Sequence, residues 1–427
     1  MNMKSRLLIL GAGLALAAQQ ITAFAPSTAI RPHDQVMRLS VIKNKKYHVK
    51  VAVESSLKDR PYNMEQRSTN ALTVHDKDQA TIVMLSKPDS RDKTVAADRV
   101  LRRMFNPADN DVRGHIKPTG SYSEISIMPT VGASLKLAGL PGHFGVDLHV
   151  PVVRKQISVL AMDDQTNTKL VPLVADYHVA AEMPNMLKNI ADIGGLSTGN
   201  WVVAGLGDAA VMLSWRNWFR QEKELVKGVE LFAQLGVTLP TGKERDEDQA
   251  FSMPLGSDGA FGIPVGMGLN VQFINTIRAG LNVDFLAYLD KTKSRRLKTI
   301  APQTELFLLN KGSASRDYGL NWQFYLYLQS RHFISGLSAK AAYQYLRHDS
   351  DKLTPRDNSN FSYDVINTAN SLQDWNAHNV IFSLDYDHVK SSDHLVVPQI
   401  SLFYKMPVGG RAVIAAQTVG VQMGVCF

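Results

Sequence analysis

The sequence predicts an all-β protein, a transmembrane, antiparallel, up-and-down β-barrel of 12 strands. Three observations carry this. Long segments alternate between apolar and polar residues, the chain opens on an export leader, and it closes on an aromatic residue at the end of an alternating run.

Composition sets the limits first. The chain has 427 residues, of which 44% are hydrophobic, 20% charged and 8% aromatic. That is ordinary for a folded protein and excludes a disordered or collagen-like chain. Past the N-terminus no apolar run reaches the ~18 residues of a spanning helix, so a helical membrane bundle is excluded too. A spanning barrel is compatible, because its strands are polar at alternate residues. The lone cysteine, Cys426, excludes a disulfide framework and a cysteine-rich zinc site.

Residues 1–25 read as a signal peptide. Lys4 and Arg6 form its basic start, Leu7 to Ala18 its apolar stretch, and Ala23 and Ala25 offer cleavage positions. Removing Lys4 and Arg6 lowers the net charge from +8 to +6. The remaining charge is scattered and the protein is exported. It therefore suggests solvated loops and an anionic lipid surface, and no nucleic-acid partner.

Alternation organises residues 122–427, read as the barrel. Val229, Leu231, Ala233, Leu235, Val237 and Leu239 oppose Glu230, Gln234 and Thr238. Val265, Met267, Leu269, Val271 and Phe273 oppose Gly266, Gly268, Asn270 and Gln272, and Val380, Phe382, Leu384 and Tyr386 oppose Ser383, Asp385 and Asp387. A helix of 3.6 residues per turn could not keep such sets apart. Strands are expected near 122–137, 143–153, 171–182, 204–217, 227–240, 262–276, 279–290, 318–332, 336–347, 377–388, 394–406 and 413–427. From 227 onward tight joints near Ile277-Arg278, Ser335 and 390–393 alternate with the long polar stretches 241–261, 291–317 and 348–376. That is the asymmetry of outer-membrane barrels. A turn at Val408-Gly409-Gly410-Arg411 breaks it, as do 138–142 and 154–170. A soluble sandwich would also alternate, but with shorter strands.

Residues 26–121 form a separate N-terminal region. Val36 to Lys43 and Lys46 to Glu54 suggest a hairpin around Asn44-Lys45, followed by a tract that acts as a plug, a periplasmic extension or a disordered segment. A hairpin in the wall would make 14 strands, which is also an even number.

Candidate chemistry is sparse. Gly195-Leu196-Ser197-Thr198-Gly199 matches a nucleophile-elbow string but lacks the strand before it and the helix after it, so a loop turn is expected. The 12 histidines show no metal-ligand spacing. No metal, cofactor or enzymatic activity is expected. Asp147 with His149, and Asp176 with His178, fall on polar strand faces and are expected to be hydrated lumen groups. Glu230, Asp284, Lys340, Asp385, Asp387 and Lys405 share the polar faces of their strands and should line the lumen, since a basic charge facing lipid at mid-depth costs ~2–4 kcal/mol. Both signs together suggest a watery or salt-bridged lumen. Trp215, Trp218, Tyr318, Trp322, Tyr343 and Tyr345 suit either the lipid–water boundary or core packing.

Phe427, with mostly apolar residues at every second position before it, resembles the C-terminal signal read by the barrel-assembly machinery. Gly205-Leu206-Gly207-Asp208 opening one strand and Leu239-Pro240-Thr241-Gly242-Lys243 closing the next are similar to motifs of the outer-membrane barrel family associated with the meta-pathway of phenol degradation, in the style of the long-chain fatty acid transporters. The resemblance spans 204–427. It implies a Gram-negative outer-membrane channel for small solutes, hydrophobic or aromatic ones included, crossing by passive diffusion. It carries over no catalytic residue. A non-transport barrel whose external loops serve adhesion or host contact is the alternative. The expected partners are outer-membrane lipids, the barrel-assembly machinery and a small-molecule solute; oligomeric state is open.

Overall fold

In the computed structural model the described residues are Arg31, Asp34, Leu39, 45–76, 79–80, 115–164, 191–192, 194–274, 276–306, 308–334, 336–387 and 396–427. The leader, the strand expected at 171–182, the joints at Ser335 and 390–393, and the pair Asp176 and His178 lie outside them.

In chain order the strands are β1 (Tyr47–Asp59), β2 (Gln79–Ala80), β3 (His115–Leu135), β4 (His143–His149), β5 (Val152–Asp164), β6 (Trp201–Leu206), β7 (Ala209–Arg220), β8 (Val226–Leu239) and β9 (Gly262–Phe273). There follow β10 (Ile277–Tyr288), β11 (Lys291–Arg296), β12 (Lys311–Asp317), β13 (Asn321–Ile334), β14 (Leu337–His348), β15 (Lys352–Pro355), β16 (Trp375–Asp387), β17 (Val397–Arg411) and β18 (Ala416–Cys426). Among the described residues 12 strands close a ring, in the order β1-β18-β17-β16-β14-β13-β10-β9-β8-β7-β4-β3 and back to β1. Closure leaves no strand edge unpaired around the ring. The second arm of the expected hairpin, 46–54, falls in β1, a wall strand between β18 and β3.

The alternation seen in the sequence becomes inside and outside. Val51, Ile127, Leu235, Met267, Leu281, Leu328, Phe382, Leu402 and Met423 project outward and are exposed. They form an apolar belt, too extensive for a protein surrounded by water. Polar side chains and glycines face inward. Gly266 lies between Gln234 and Asp284 in one cross-strand row, and Gln234 Nε2 donates to Asp284 Oδ1 across it at 2.8 Å. A Cβ on Gly266 would meet that oxygen at 2.0 Å. Gly268 likewise leaves room for Asn282, and Gly280 for Tyr327.

Two wall strands break. β4 and β5 are parted at Val150-Pro151, and β6 and β7 at Gly207-Asp208. Below the breaks β4 pairs with β3 and β7; above them β5 pairs with β3 and β6, so this side of the wall rises beyond the end of β8. The stretch 154–170, where the sequence pattern breaks down, therefore begins with strand, to Asp164. The Val408–Arg411 turn is a correction as well. β17 runs on to Arg411, with a bulge where His378 pairs Gly409 and Asn379 pairs Pro407, and the bend comes at Ala412, φ 50°. The two glycines serve the bulge and not a turn.

Connections at 136–142, 221–225 and 274–276 gather at the end of the barrel that holds Tyr47 and Phe427; 240–261, 289–320 and 349–374 gather at the other. At the long-loop end β11, β12 and β15 form a separate three-stranded sheet, backed by Phe361, Ile366 and Leu372.

Phe427 projects outward beside Tyr47, their ring centroids 6.0 Å apart, and its N–H and C=O pair with the Tyr47 backbone. Phe427→Ala keeps those backbone bonds but removes the ring. It should lower the yield of folded barrel without changing export, read by heat-modifiable gel mobility. Unchanged yield would make the ring incidental.

Candidate functional site

The interior divides into three levels. At the short-turn end two cavities, of about 80 and 540 Å³, share Arg216, Glu230, Arg278 and Arg331. Glu230 on β8 and Arg278 on β10 face each other across β9, and Arg278 Nη2 donates to Glu230 Oε2 at 2.5 Å. With its oxygen turned to Arg278 Nη2 (3.0 Å), the Asn270 amide donates to the Tyr327 hydroxyl (2.5 Å). Arg278 also lies over the Trp218 ring at 6.0 Å, and Arg216 over Phe232 at 5.2 Å.

Of the residues expected in the lumen, Glu230, Lys340, Asp385 and Asp387 line the smaller cavity, while Asp147 lines the larger. Asp385 accepts from Ser401 Oγ at 2.5 Å and lies 3.8 Å from Lys340 Nζ. Asp387 Oδ1 is 2.7 Å from His332 Nε2, and Asp147 Oδ1 is 2.8 Å from His48 Nε2. His149, Asp284 and Lys405 are buried and line neither cavity. His149 Nδ1 meets Thr130 Oγ1 at 2.8 Å. Inward-facing Arg216, Arg278 and Arg331 were missed by the sequence reading, Arg278 because its position was read as a joint.

The middle level is packed. Met128, Tyr325, Tyr327, Ile381 and Phe403 form a buried cluster across the lumen. The N-terminal segment enters the same level: Asp34, 1% exposed, accepts from Gln323 Nε2 at 2.6 Å, and the Leu39 carbonyl accepts from Lys50 Nζ at 3.0 Å.

At the long-loop end lies a third cleft, of about 100 Å³, that shares no lining residue with the other two. Leu72, Phe251, Leu306, Leu308, Leu353 and Leu372 give it apolar walls, and Arg245, Arg295, Lys298 and Arg316 stand among them. Burial works against the Asp258 charge, but Arg295 and Lys293 beside it outweigh that and hold its carboxyl below the usual range. Asp351, paired with Arg316 and His348, is held low in the same way. Burial lowers His75 to about 4, so it is neutral near pH 7 despite the opposing pull of Asp76. Tyr318 also belongs here. It is fully buried beneath Arg316, a core position and not a lipid boundary.

The two turn motifs meet above the β6–β7 break. Asp208 accepts from the N–H groups of Gly242 (3.0 Å) and Ser257 (2.6 Å), while Thr241 Oγ1 donates to the Gly207 carbonyl (2.7 Å) and accepts from Ala209 N–H (2.9 Å). Thus one motif ends a strand and the other ties down the loop 241–261 that continues beside it. Gly195–Gly199 is a loop: Ser197 bridges to Gln249, and Gly194 and Gly195 give their carbonyls to Arg296.

Among solved structures, the COG4313 outer membrane channel from Pseudomonas putida F1 is similar, with a TM-score of 0.50 and 9% identity over 93% of this chain and 100% of that one. The barrel has the fold of an outer-membrane channel. The Pseudomonas putida toluene transporter TodX aligns over 95% of this chain and 96% of its own at 7% identity, with a TM-score of 0.33. No family model and no curated protein matches the sequence.

Proposed function

We propose that this protein is a channel of a Gram-negative outer membrane through which small solutes, hydrophobic or aromatic ones among them, cross by passive diffusion. The observation that carries the reading is the polar interior wall. Arg216, Glu230, Arg278, Lys340 and Asp387 surround cavities inside an apolar-coated barrel, an arrangement that serves water and solute and that an anchoring barrel does not need. The cleft at the long-loop end, leucine-walled with cationic points, suits first capture of a small amphipathic molecule. In this reading the long loops face outward from the cell, the short turns face the periplasm, residues 1–25 are removed on export, and the assembly machinery reads Phe427.

The packed middle level favours a second reading, an adhesive or structural barrel. Fractionation and flux separate the readings. The mature protein should sediment with outer-membrane markers; recovery in the soluble periplasm would end the barrel reading. Reconstituted in liposomes, the full chain should admit small solutes, and a chain lacking 26–44 should conduct more. Asp385→Asn with Asp387→Asn should shift ion selectivity toward anions. No uptake by either chain would leave the adhesive reading.

A further inference from the structure

Passage of an uncharged aromatic solute needs a polar wall but no anion ligand, yet three arginines gather at the short-turn end. Arg216, Arg278 and Arg331 line both cavities there, and Lys136 joins them around the larger one. Against these four cations the larger cavity presents two acids, Glu230 and Asp147, and each has a partner. Glu230 is bound to Arg278, and Asp147 to His48. The Arg331 guanidinium makes no hydrogen bond or ion pair among the described residues, although Asp387 lines the smaller cavity beside it.

The reason is a local irregularity of the wall. The β13–β14 register shifts between Ser330 and Ile334, and His332 adopts φ 47°, a left-handed conformation unusual for a residue with a side chain. Strict alternation would turn His332 away from the lumen. The bulge brings its Nε2 to Asp387 Oδ1 at 2.7 Å, which occupies the acid that Arg331 would otherwise take. A backbone held in such a conformation so that a histidine takes Asp387 is the kind of stored strain found at binding sites.

From this arrangement we infer that the vestibule at the short-turn end binds a small oxyanion, a carboxylate or a phosphate, with Arg331 as its principal ligand and Arg278 and Arg216 beside it. Like charges converging on a cavity of reduced dielectric attract an anion between them. A guanidinium presents paired N–H donors that match two oxygens of such a group. The stacking of Arg278 on Trp218 and of Arg216 on Phe232 fixes two of the three side chains in place before the anion arrives. The cavity, at about 540 Å³, lies within the roughly 300–1,000 Å³ of ordinary small-molecule sites, so the anion can bear an organic body.

Binding to the folded full chain in detergent micelles tests this without requiring transport, so absence of flux in liposomes would leave it standing. Sodium benzoate, inorganic phosphate and the uncharged benzyl alcohol are titrated calorimetrically. Benzoate or phosphate should bind saturably, and whichever binds identifies the source of the oxyanion. Arg331→Gln should weaken that binding at least tenfold and Arg331→Lys much less. Asp387→Asn, which removes a competing negative charge, should strengthen it several-fold. Heat-modifiable mobility verifies that each variant is folded. Saturable binding of neither anion, equal affinity of Arg331→Gln and wild type, or weaker binding by Asp387→Asn would overturn the assignment. The Asp387→Asn arm decides even if Arg331→Gln does not fold.

Discussion

Arg296→Ala should release the loops of the long-loop end while the barrel below stays folded. Arg296 Nε donates to the Glu247 carbonyl at 2.5 Å, Nη1 to those of Leu308 (2.9 Å) and Leu309 (3.1 Å), and Nη2 to those of Gly194 and Gly195, both at 3.0 Å. Nη2 also reaches Asp248 Oδ1 at 2.7 Å. One buried side chain thus ties together three separate loops. Removing it strands several carbonyls at once, a loss on the order of 3–5 kcal/mol for the loop assembly. Asp248 retains Lys311 and is the least affected partner. Limited proteolysis of the folded protein should cut within 194–200, 241–261 or 297–310, with heat-modifiable mobility unchanged. Equal resistance in the variant and wild type would show that the loops hold without the clamp.

The second large effect concerns the outer face. Phe382 projects outward from β16 among Leu384 and Leu402 and is 51% exposed. Phe382→Arg places a charge against lipid, at ~2–4 kcal/mol near mid-depth, and should sharply reduce the fraction that inserts. Asp387→Asn, on the opposite face of the same strand, should insert normally. Folding yield into vesicles compares them. Similar yields would mean that this face does not meet the bilayer.

The barrel was legible because alternation is a local property with one dominant physical cause, burial on a single face. Val229 to Leu239 and Val265 to Phe273 declare their outer side without any knowledge of their neighbours. Legibility ends where that cause ends. Lys291 to Arg296 forms a strand in which Arg295 is buried against Asp258, yet charges on both faces leave no apolar period to read. The break at Pro151 and the bulge at Gly409 disturb the count by one residue, which is enough to hide a strand. In the lumen, Glu230 and Asp385 were found because apolar neighbours flank them. Arg278 lies six residues before Asp284 and shares its parity, so extending β10 by two residues would have found it. The reach of Arg331, by contrast, depends on what His332 does with Asp387, a contact between strands that no single segment encodes.

The inward glycines of β9 have a consequence for how the barrel closes. A strand displaced by two residues keeps its greasy side outward, so alternation alone tolerates such an error during assembly. Here it does not. Moving β9 one way would put Pro264 under the bridge that Gln234 and Asp284 build over Gly266; moving it the other way would drive Asn270 into the space that Gly268 leaves for Asn282. The missing side chains therefore work like the notches of a key. They admit one alignment of three neighbouring strands, and so fix the circumference on which the cavities of the short-turn end depend.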